Sequence, residues 1–162
     1  MKTVYTYQQW IDHFQRLEEK PWEQDLLDSV ANATYQGNPS DIFLTRLSDT
    51  VSKMLSRCMR WFLQEIDRLL SENEADMTAF VAKRFRNRVR GCFFYRDMDF
   101  LPARYVHTLD EGFEKQIDAF WKDFLRQLDH SARESMNPDV EEMAYELRRI
   151  KIISFRGQYA VV

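Results

Sequence analysis

Between Pro39 and Gly91 the chain contains neither proline nor glycine, and apolar residues recur there every three or four positions. A stretch that lacks helix breakers and carries a 3.6-residue apolar period has one regular solution, the α-helix. Leu44, Leu47, Val51, Met54 and Cys58 form the first part of the stripe, and Leu55, Met59, Phe62, Ile66 and Leu69 continue it one residue over. The seam drifts around the helix instead of holding a strict heptad. The pattern predicts a long helix over 39–71, with Asn38 as its cap and Pro39 at its first position, where the missing N–H costs nothing. Ser71-Glu72-Asn73-Glu74 reads as the break, with Ser71 or Asn73 capping a further helix over 74–92 through Met77, Val81, Phe85, Val89 and Cys92.

The rest of the chain is punctuated in the same way. Thr6-Tyr7-Gln8-Gln9 fits a capping box opening a helix over 6–19, which stops before Pro21. Trp22, Leu26, Leu27, Val30 and Ala33 predict a second helix over 22–36, closed by Gly37. Thr108-Leu109-Asp110-Glu111 fits another capping box and predicts a helix over 108–132, and Asn137-Pro138 opens one over 138–150. Residues 91–102, rich in Phe, Tyr and Met, read as a connector lying on the core. Residues 151–162 suit a short hairpin or an extended tail.

These elements predict an all-α, single-domain bundle of five or six helices around the long central helix 39–71. With 162 residues and 44% hydrophobic content, the chain has enough apolar surface for one core. A straight helix of that length, about 50 Å at 1.5 Å per residue, either kinks or projects to meet another chain, so a homo-oligomer is compatible with it. Leu55, Phe62, Phe85, Ile117, Phe120 and Phe124 lie mid-stripe and are expected in the core. No apolar run approaches the ~18 residues of a membrane span, and the first residues lack a signal-peptide apolar region. The expectation is a cytoplasmic protein without a membrane partner, with Cys58 and Cys92 as thiols.

Charge is unevenly placed. Over 83–104 the cations Lys83, Arg84, Arg86, Arg88, Arg90, Arg96 and Arg104 face only Asp97 and Asp99, a net of +5 in a chain of net −3. Over 105–147, eleven acids face four cations, a net of −7. At 100° per residue, Lys83, Arg86 and Arg90 share one ridge and Arg84 and Arg88 another, with Val81, Phe85 and Val89 on the apolar seam. Guanidinium groups suit planar two-point contacts to carboxylate or phosphate. The seven cations are therefore the candidate binding residues for an anionic partner, unless the acidic helices neutralise them. Phe93, Phe94 and Tyr95, directly after the basic run, are the candidate faces for stacking on nucleic-acid bases.

Catalytic and metal patterns are missing from the sequence. There is no Glu-x-x-His repeat, phosphate-binding glycine loop, Gly-x-Ser-x-Gly or Cys-x-x-Cys. His107 with Glu111 and His130 with Glu134 are isolated i, i+4 pairs, expected on the surface and not as ligands. The sequence therefore leads to a non-enzymatic interaction protein, an adaptor or a subunit of a larger assembly, with no cofactor and no metal. Its acidic protein partner would dock on the arginine-rich helix 83–96. The second reading is a nucleic-acid-binding component of a DNA- or RNA-processing complex that uses the same patch; a pI near 5.7 speaks against general affinity for polyanions.

Overall fold

The structure, a computed structural model, describes residues 2–152. It is an all-α helical bundle with six α-helices among those residues: α1 (Tyr7–Glu19), α2 (Gln24–Ala31), α3 (Asp41–Ser71), α4 (Thr78–Gly91), α5 (Ala103–Ser135) and α6 (Pro138–Arg148). Two three-residue strands, β1 (Thr3–Tyr5) and β2 (Ala33–Tyr35), pair in parallel with Thr3 opposite Ala33 and Tyr5 opposite Tyr35. The hairpin or tail expected over 151–162 lies, from residue 153 on, outside the described residues.

Several helix ends follow the sequence closely. Thr6 closes a full capping box on α1: its Oγ1 accepts from the Gln9 amide, and its own amide donates to Gln9 Oε1. Asn137 caps α6 with Pro138 at the first position. Elsewhere the ends move. Ser40, not Asn38, caps α3, because its hydroxyl accepts from the Phe43 amide three residues further in. Asn73 ends α3 instead of opening the next helix. It sits at φ 57°, and the amides of Asn73 and Glu74 bond back to the carbonyls of Leu70 and Leu69 in the geometry of a left-handed helix cap.

Helix α5 starts at Ala103, not 108. The Pro102 carbonyl accepts the Val106 amide, while the Thr108 hydroxyl donates to the Arg104 carbonyl inside the helix and caps nothing. Helix α2 is shorter than expected, since Ala33-Thr34-Tyr35 leave it to pair with β1. Gly37, at φ +82°, makes the turn from β2 toward α3.

By contacts the chain divides into two units, one of residues 2–59 with 87–111 and one of 60–86 with 112–152. In the first, Trp10, Phe14 and Phe43 are fully buried and meet ring to ring, and Phe100 joins them beside Tyr35. The connector after α4 packs inward: Phe93, Phe94, Tyr95, Met98 and Leu101 are all buried, and its 3-10 turn Phe94–Asp97 packs on α2. Gly91 permits this close approach, because a Cβ there would sit 3.1 Å from Leu27 Cδ1.

The second unit has its own aromatic core. Phe62 and Phe85 stack at 4.5 Å between ring centroids, with Trp121 and Phe124 around them. Phe62, Phe85, Ile117 and Phe124 are buried as expected, as Leu55 is in the first unit, but Phe120 is half exposed and belongs to the rim of the second unit's cluster. Helix α6 packs on the 3-10 turn Ala75–Met77.

Candidate docking surface on helix α4

Helix α4 buries Val81, Phe85 and Val89 on its seam, and the cations around that seam differ widely in environment. In the second unit, Lys83 and Arg84 are exposed and Arg86 is half-buried. Among the described residues none of the three forms a salt bridge, and Arg86 Nε is buried without a hydrogen-bond partner. The Arg84 guanidinium lies 5.3 Å from the centroid of the Phe80 ring, its i−4 neighbour. Phe80 itself is 54% exposed, and Met77 is 41% exposed.

Met77 thus leaves the apolar seam on which its spacing placed it. It belongs to the 3-10 turn ahead of α4, whose three residues per turn shift its direction relative to the helix. Met77, Phe80 and Arg84, at i, i+3 and i+7, form an exposed ridge with Lys83 beside it. Phe80 was not singled out by the sequence pattern. The signal was available in its position one residue off the Val81–Phe85 seam and one turn before Arg84.

In the first unit the cations are already occupied to different degrees. Arg96 forms a two-point pair with Asp110: Nε donates to Oδ1 at 2.9 Å, and a terminal nitrogen lies 2.8 Å from Oδ2. The Tyr95 hydroxyl donates to the same carboxylate at 2.5 Å. Burial, and after it the Asp110 charge, holds the Tyr95 phenol well above its ordinary pKa. Arg88 lies 4.2 Å from the centroid of the Trp22 ring. Arg90 is half-buried, while Arg104 is exposed at the start of α5. Arg96, one of the expected anion contacts, is thus already engaged by Asp110 within the first unit.

The three rings expected to stack on bases are buried as well. Phe93, Phe94 and Tyr95 are 3%, 5% and 0% exposed, so none offers a ring face to a base. Three acids of α5 serve cations on their own helix or on α6: Asp118 pairs with Lys122, Asp123 with Arg126 and Asp129 with Arg148. These last pairs flank a groove of about 660 Å3 between α5 and α6, lined also by Leu125, Ala132, Arg133 and Glu141. Among the described residues no three His, Cys, Asp or Glu side chains converge on one point. His107 and Glu111 form an exposed pair at 3.1 Å. No helix of the described residues is long and apolar enough to cross a membrane.

Compared with models of protein families, with curated proteins and with solved structures, the chain has no match.

Proposed function

We propose that this chain is a cytoplasmic, non-enzymatic adaptor or assembly subunit that docks an acidic protein segment through α4, with Phe80, Lys83 and Arg84 as the principal contacts. The observation that carries this reading is the exposed Phe80 ring beneath the Arg84 guanidinium, next to a lysine that no acid of the described residues neutralises. Aromatic and arginine side chains together are the commonest anchors of protein interfaces, since the ring buries area and the guanidinium binds carboxylate in two points. Two unbridged thiols suit a reducing compartment. A polynucleotide would use the same cations, but the burial of Phe93, Phe94 and Tyr95 removes the stacking platform that single-strand binding draws on.

The test measures binding of a synthetic peptide in which aspartate and glutamate alternate with leucine and phenylalanine, beside a single-stranded oligonucleotide of equal charge. The peptide is expected to bind more tightly. Phe80→Ala, and Lys83→Glu combined with Arg84→Glu, should each weaken it by about tenfold or more without shifting the melting temperature. Tighter oligonucleotide binding, insensitive to Phe80→Ala and falling with log salt at about −0.7 per phosphate contact, would replace this reading with the nucleic-acid one. Variants that bind the peptide as wild type does would refute the α4 surface.

A further inference from the structure

Cys58, in α3, and Cys92, one residue past the end of α4, are the only cysteines of the chain. They lie 34 positions apart in sequence, yet their Sγ atoms are 3.8 Å apart, in van der Waals contact inside the first unit. Both side chains are fully buried. A disulfide needs about 2.05 Å between sulfurs, so side-chain rotation has to close a gap of under about 2 Å. The approach is built into the fold: Gly91 lets the end of α4 press on Leu27, and the Cys92 thiol donates to the Arg88 carbonyl at 3.4 Å.

We propose that Cys58 and Cys92 are an oxidative modification site, a dithiol that hydrogen peroxide converts into an intramolecular disulfide tying α3 to the end of α4. Peroxide is the fitting oxidant because it is small enough to reach a buried sulfur through modest opening of the connector. One thiolate attacks a peroxide oxygen and breaks the O–O bond, giving a sulfenic acid and hydroxide, which leaves as water with the thiol proton. The second sulfur then displaces the sulfenic oxygen, the S–S bond forms, and a second water leaves. Each sulfur is oxidised by one electron and peroxide is reduced by two. Burial, and then the neighbouring Cys58, raises the Cys92 thiol above its ordinary pKa. The pair therefore responds slowly, at a rate set by opening and by pH, unlike an exposed low-pKa sensor.

The experiment treats the reduced full chain with hydrogen peroxide, quenches with catalase, denatures, and alkylates with iodoacetamide before intact-mass and peptide analysis. The expected product is two hydrogens lighter, takes up no alkyl group, and yields a Cys58 peptide joined to a Cys92 peptide until dithiothreitol is added. Its melting temperature should rise on oxidation and return on reduction, and neither change should occur in Cys58→Ser or Cys92→Ala. Two alkylated cysteines after peroxide would overturn the proposal. So would a disulfide between chains, or Cys92 carried to sulfinic acid without linkage.

Discussion

The Phe85 ring stacks on Phe62 at 4.5 Å between centroids and 24° between planes, which joins α4 to α3 at the centre of the second unit's core. Both rings are fully buried. Their stacking makes the seam of α4 a structural face and leaves the ridge of Phe80, Lys83 and Arg84 free of core packing.

Phe85→Ala is accordingly expected to cost about 3–5 kcal/mol, the usual price of emptying a buried phenylalanine site. Phe120→Ala should cost clearly less, because that ring is half exposed at the cluster rim. Urea unfolding of the two variants measures the order, and a larger loss for Phe120 would show that the rim and the centre have been interchanged.

Long elements were legible in the sequence, and short or nonlocal ones were not. Helix α3 announced itself because some thirty residues of period 3.6 admit one regular structure. The β1–β2 pair had no such signal: three residues carry no period, and Thr3 meets Ala33 only once α1 and α2 bring them together. The start of α5 differs for a local reason, since the Thr108 hydroxyl that fits a capping pattern is accommodated equally well inside a helix, where it donates to the Arg104 carbonyl. Among the candidate site residues, the clustering of cations was readable. Their fates were not, because Arg96 depends on Asp110 fourteen positions away and the exposure of Phe80 depends on what α4 packs against.

Glu18, near the end of α1, gathers four residues of α3 by charge and hydrogen bonding. Its Oε2 accepts from Thr50 Oγ1 at 2.7 Å and lies 2.7 Å from the Arg46 guanidinium, Lys53 Nζ is 3.5 Å from Oε1, and Arg57 Nε donates to the Glu18 carbonyl at 2.8 Å. Glu18→Ala leaves Arg46 and Thr50, both largely withdrawn from water, without this acceptor. The expected loss is about 1–3 kcal/mol in urea unfolding. Glu18→Gln, which keeps an acceptor but not the charge, should fall between alanine and wild type. Equal stability for all three would mean that solvent replaces the carboxylate without cost.

Two tyrosines give the first unit a dependence on alkaline pH. Burial, and then the Asp49 carboxylate, raises Tyr105 from the ordinary 10.0 to about 12, and its hydroxyl donates to the Leu44 carbonyl. Tyr95 is raised further, first by burial and then by Asp110. In both cases the fold favours the neutral phenol, while the unfolded chain ionises near pH 10. Below that pH both states hold the proton and the contribution is complete. Above it the unfolded chain binds fewer protons than the folded one, so stability falls as pH rises toward the folded values. The urea midpoint of wild type should therefore drop between about pH 10 and 12 by more than that of Tyr95→Phe combined with Tyr105→Phe. Absorbance of tyrosinate, followed in the same samples, should show the two missing phenols as the late-titrating ones. Parallel pH profiles for the two proteins would mean that neither tyrosine resists ionisation in the fold.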